Sequence, residues 1–374
     1  MKTSQKKSQF AVLLAALTTE IKDSLPVRIR LSLLRLLTVL CGAFTATAVL
    51  GQVAYTWSGA GDGTNIATAA NWSPTGGPPS GNNQDTGQWN GTVAGNLALT
   101  YISGLPGTGF GTEGVNWYVA AGQVGSFSLV CPSGNSGTIA FNNITIDSGT
   151  GPVTFGDNTA NQLNFVGRPA GATHEMLNNS ATPVTINPSV RWQAGGGSAY
   201  VLDFTGNWTI NNYLRNDNGS GPTTVALESG TLTWAADPVQ RGNSPSGPID
   251  IFAGTMILTS PNLAPSEAPG TVAAGNNVIQ NNGTLEFNAP VQSDNISRVI
   301  SGAGVVQVSN GTLTLSGANI YTGNTVLSGG ELIAGIVENP GVGGPFGEGG
   351  MISFAGGTLG WSVNNTYEIG RAHV

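Results

Sequence analysis

Apolar and polar residues alternate along most of this chain in runs too short for helices. Leu313 and Leu315 alternate with Thr312 and Thr314, Val326 lies between Thr325 and Leu327, and Leu332 and Ile333 follow Glu331. In a strand, successive side chains point to opposite faces, so each run predicts one buried and one solvated row. The runs are separated by Ser316-Gly317-Ala318-Asn319, by Tyr321-Thr322-Gly323 and by Gly329-Gly330, which read as tight corners. None of these pieces is long enough to fold alone, which predicts one winding of a coil that stacks on its neighbours.

The same punctuation recurs. Gly-Thr-apolar begins a run at Gly137, Gly230, Gly254, Gly283, Gly311 and Gly357, with a looser copy at Gly330. From Gly230 the successive intervals are 24, 29, 28, 19 and 27 residues, the period of a solenoid winding. Between residues 140 and 230 the motif fades, but short runs persist at Val153–Phe155, Leu163–Phe165, Val184–Ile186 and Trp208–Ile210. Asn282-Gly283 and Asn310-Gly311 are also strong hairpin signals, which would favour antiparallel sheets. The recurrence of one motif every ~25 residues favours the solenoid over that alternative.

Composition narrows the picture. Gly supplies 56 of 374 residues, about twice the usual share. Charged residues make up 9% and apolar residues 39%, which argues against a charge-rich disordered chain. All four lysines lie in the first 22 residues. After residue 51, six arginines face eighteen carboxylates, a formal charge of −12. Such a surface repels nucleic acid and anionic lipid, so no nucleic-acid partner is expected.

Four segments follow. Residues 1–51 read as a helical signal or targeting leader, with basic residues ahead of the apolar run Leu36–Phe44 and small residues after it. Residues 52–135 form a Trp-rich N-terminal cap with the first windings, residues 136–367 the β-helix, and residues 368–374 a tail of the kind a translated sequencing adapter leaves. That tail predicts a reading frame cut short. Cys41 falls in the leader and Cys131 stands alone, so no disulfide framework is expected and Cys131 reads as a buried hydrophobe.

The stretch 310–335 resembles the autotransporter-associated β-strand repeat, also called the passenger-associated transport repeat. Leu313, Leu315, Ser316-Gly317-Ala318-Asn319, Tyr321-Thr322-Gly323, Thr325, Leu327, Ser328-Gly329-Gly330 and Leu332 carry the resemblance. It implies an all-β, right-handed parallel β-helix, exported and then secreted or displayed at the outer membrane or cell surface of a Gram-negative bacterium. It also implies passage by outer-membrane translocation machinery or a missing C-terminal barrel.

Candidate chemistry is sparse. Trp57, Trp72 and Trp89 are a candidate glycan-stacking platform, with plugging of the open end of the stack as the competing reading. His174 has no second histidine near it for metal ligation and reads as a loop residue. Gly61-Asp62-Gly63 lacks the iterated Asp of a calcium repeat. Glu228, Asp237 and Asp250 are not spaced one winding apart and read as solvated acids. No catalytic, cofactor or metal residue is assigned. The expectation is a non-enzymatic surface stalk or adhesin whose partner is extracellular polysaccharide or a cell surface. The alternative is a carbohydrate-active β-helix enzyme, a polysaccharide lyase or glycosidase, or a glycan-binding module.

Overall fold

The chain divides into two units, residues 1–51 and 52–374. The computed structural model describes residues 53–362 apart from 75–78, 80–83, 102–113, 133–135, 160–161, 170, 188–189, 195–199, 212–222, 236–246, 260–277 and 340. The leader with its helical reading and the adapter-like tail lie outside the described residues.

The described residues form a β-solenoid of 24 strands with a single 3-10 turn at Ala69–Asn71. Every strand ladder is parallel except the one pairing Thr56 with Ser73 and Trp57 with Trp72. Asn282-Gly283 and Asn310-Gly311 are therefore corners between parallel strands, not hairpins. The strand Val305–Leu315 runs through Gly311 at φ 81 and bends from one face to the next.

Three ladders make the faces. In the second ladder, Leu99, Leu129, Phe155, Ile186, Ile210, Trp234, Leu258, Phe287, Val308, Leu327 and Phe354 stand in one unbroken row. In the first, Trp117, Ile144, Met176, Phe204, Leu227 and Ile251 do the same. A third carries Leu163 on Val190, and further along Leu313, Leu332 and Leu359. Stacked strands lie ~4.8 Å apart, so each inward side chain covers its counterpart. A fully buried Leu or Phe contributes about 1.5–3 kcal/mol, and the rows supply the core that no single winding has.

The register also sorts the Gly-Thr motifs. Thr231, Thr255 and Thr284 share one row of the second ladder, which continues to Val305. Thr312, Glu331 and Thr358 share a row of the third. The 28-residue interval from Gly283 to Gly311 thus changes face, whereas Gly311 to Gly330 is a true winding of 19.

One corner is a column of glycines. A Cβ on Gly230 would lie 2.3 Å from the Gly206 carbonyl oxygen, and one on Gly254 2.2 Å from that of Gly230. Both residues also hold positive φ, 89 and 81. The column continues through Gly283, Gly304, Gly323 and Gly350, each closing on the carbonyl oxygen of the glycine one winding earlier. Close backbone stacking, as well as backbone freedom, requires glycine there.

At the N-terminal end, residues 58–73 form a closed loop over the first windings. Ile66 bonds back to Thr100 and is fully buried. In the repeat-like stretch, buried Asn319 accepts from the Ile300 amide at 2.8 Å and donates to the Pro345 carbonyl at 2.8 Å, joining three windings. Tyr321 closes the same corner by a 2.6 Å bond to the Thr325 hydroxyl.

Candidate functional site

Trp57, Trp72 and Trp89 are core residues, 1%, 0% and 2% exposed. Their rings pack edge to face, Trp57 on Trp72 at 5.1 Å and Trp72 on Trp89 at 5.4 Å, and Trp89 stacks on Trp117 at 5.5 Å. The Trp72 indole N–H is spent on the Ile66 carbonyl. A sugar ring needs an exposed indole face, and these three offer none. The glycan-stacking expectation is corrected on that ground: alternation turns all three rings inward.

His174 is likewise not a loop residue. It lies in the strand Thr173–Asn178, fully buried beside Met176, with Nδ1 2.7 Å from the Asn142 carbonyl oxygen and its ring 5.2 Å from Phe141. Gly167 leaves the space its Nε2 occupies; a Cβ there would lie 2.6 Å away. Burial pulls the imidazole pKa below its usual value, against the opposing Asn142 contact. Cys131 is buried, and burial pushes its thiol pKa up.

Asp62 is a hub of the N-terminal loop. Its carboxylate accepts from the amides of Thr64 and Asn65, the Thr68 hydroxyl at 2.6 Å and the Asn71 amide at 2.8 Å. The Thr68 hydroxyl first, then the two backbone amides, hold it well below the usual carboxylate range.

What remains for recognition is the outward side of the ladders. On the first ladder a polar column runs through Glu175, Asp203, Ala226, Asp250, Gln280 and Ser301, in register. It is extended by Asn143, whose Oδ1 accepts the Glu175 amide, and by Asn116, which takes bonds from Asn142 and Asn143. Glu175 and Asp203 are neighbours on adjacent strands, ~4.8 Å apart at the backbone. Asp250 stands two strands beyond Asp203, across buried Ala226, and burial raises its pKa. Glu228 falls at a register break between Leu227 and Ser229, outside that column, and Asp237 lies outside the described residues. The Glu175–Asp203 pair was missed from sequence, although its 28-residue interval equals one winding.

On the second ladder the outward row is uncharged over five windings: Ser128, Thr154, Thr185, Thr209 and Thr233. Beside it runs a second row, Asn207, Thr231, Thr255 and Thr284. The two ladders therefore carry outward columns of different chemistry, one acidic and amide-bearing but covered around Asp203 Oδ1 and Ala226, the other lined by half-buried hydroxyls.

The chain is 26% identical over 155 residues to the adhesin BmaC autotransporter of Brucella suis biovar 1 (strain 1330). The match takes in 40% of this chain and 4% of that much longer relative. No family model matches the sequence, and no solved structure matches it.

Proposed function

We propose that the protein is a non-enzymatic, adhesin-like passenger: an exported right-handed β-helix of the autotransporter-associated repeat type that works at the cell surface or after secretion. Translocation machinery or a membrane barrel would carry it across the outer membrane. The observation that carries the reading is the outward side of the solenoid, where side chains repeat in register over many windings without converging on one point. Such rows suit an extended partner, such as polysaccharide or another cell's surface, better than a small substrate. Similarity to an autotransporter adhesin supports the same reading. The test is to incubate the purified chain with a panel of polysaccharides and follow both retention and chain length. Retention without shortening is expected; reproducible depolymerisation would overturn the reading.

One observation favours a second reading. Paired carboxylates about 5–5.5 Å apart are what a retaining glycosidase uses, and Glu175 and Asp203 are strand neighbours. Depolymerisation abolished by Glu175→Gln or Asp203→Asn would establish it.

A further inference from the structure

We propose that the hydroxyl-lined face of the second ladder binds an uncharged, hydroxyl-rich polysaccharide laid along the solenoid axis. The proposal rests on the adhesin reading and names its binding face and ligand class.

Charge sets this face apart. Residues after 51 carry a formal −12, yet the row from Ser128 through Thr233 and on to Ile257 has no ionisable group, and neither has the neighbouring row from Asn207 to Thr284. The first carboxylate in the longer row is Glu286, beyond Ile257. On a chain this acidic, such a neutral strip complements an uncharged partner, whereas the acidic column of the first ladder would favour a cationic one.

The hydroxyls of this face are also uncommitted within the fold. Among the described residues, the hydroxyls of Thr154, Thr185, Thr209, Thr231, Thr233, Thr255 and Thr284 bond to no other residue of the chain. Several loop threonines are instead occupied, Thr68 with Asp62, Thr92 with Asn90, Thr159 with Asp157 and Thr322 with Gly302, whereas strand threonines such as Thr145 and Thr314 on the other ladders resemble those of this face but do not stand in so long a row. The face is thus supplied with donors and acceptors that the fold itself does not use, all half-buried.

The register along Thr154, Thr185, Thr209 and Thr233 has no break, so the hydroxyls repeat every ~4.8 Å along the axis. From Thr209 onward the second row stands two residues away on the same strand, roughly 6.6 Å at ~3.3 Å per residue. Threonine is stiff at χ1, so a linear partner meets an array already ordered. Each hydrogen bond adds little against water, and the preorganised repeat is what lets many weak contacts sum.

The experiment measures retention of the purified chain on an immobilised neutral glucan, on polygalacturonate and on chitosan, each at low and high salt. The variants are Thr185→Val/Thr209→Val, Thr185→Glu/Thr209→Glu and Glu175→Gln/Asp203→Asn, with thermal melting of each. The expected result is retention on the neutral glucan that salt leaves unchanged. It should fall about tenfold in both threonine variants at an unchanged melting temperature, and persist in Glu175→Gln/Asp203→Asn. Glucan retention that persists in a folded Thr185→Val/Thr209→Val variant overturns the assignment. So does retention confined to chitosan, sensitive to salt and lost in Glu175→Gln/Asp203→Asn; that result leaves the adhesin reading standing. Retention of no polymer overturns the assignment and the polysaccharide partner together, and shortening of the glucan overturns the non-enzymatic reading itself.

Discussion

Asn71 donates its side-chain amide to the Asp62 carboxylate at 2.8 Å while its own Oδ1 accepts from the amides of Gly61 and Gly63. Asn71 is fully buried, so one short side chain satisfies groups on both arms of the loop that closes the first windings. Asn71→Ala would remove all three bonds, at a net cost of about 0.5–1.5 kcal/mol for each. The expected outcome is a lower melting temperature, with new proteolytic cleavage confined to residues 58–73.

Asp62 gives that loop a pH dependence. Its pKa in the folded chain lies below the ordinary carboxylate value, so its contribution is complete above the unfolded pKa and is lost as pH falls through the folded one. Loop protection against hydrogen exchange should weaken on acidification below the usual carboxylate range. Asp62→Asn should lose the protection at neutral pH and flatten the profile.

His174 acts in a different window. Burial favours its neutral form, so the unfolded chain takes up a proton first as pH drops below the ordinary histidine value. Stability conferred by the neutral ring is present above that value and declines as pH falls toward the lowered folded pKa. His174→Gln should remove this part of the slope between mildly acidic and neutral pH in urea unfolding, whatever its effect on absolute stability.

Much of this was legible in the chain. Alternation with Gly-rich corners reveals parallel stacked strands, because the hydrophobic rows and the glycine column are local patterns repeated. Which face each strand occupies was not legible, since Gly-Thr-apolar serves any corner leading into a strand and appears on both the second and third ladders. Windings also vary, 19 residues from Gly311 to Gly330 and 29 from Gly254 to Gly283, so neighbours in a column cannot be counted from a fixed period. His174 was recoverable: it alternates in phase with Met176, whose inward position the apolar side chain announces. The three tryptophans show the opposite difficulty, because an aromatic residue in a short strand has the same spelling whether it plugs a core or faces a sugar.

The glycine column separates two causes that usually come together. Gly254 and Gly95 both hold positive φ, 81 and 89. A Cβ on Gly254 would strike the Gly230 carbonyl oxygen at 2.2 Å, whereas one on Gly95 would meet nothing within 4 Å. Gly95→Ala therefore carries only the left-handed backbone cost, about 1–2 kcal/mol. Gly254→Ala must in addition push two windings apart and break in-register pairing on both sides, because the struck atom is backbone and cannot rotate away. Thermal melting should show a modest drop for Gly95→Ala and a larger one for Gly254→Ala. Equal drops would mean that φ alone sets the corner and that the close approach of the windings is relieved by a small shift.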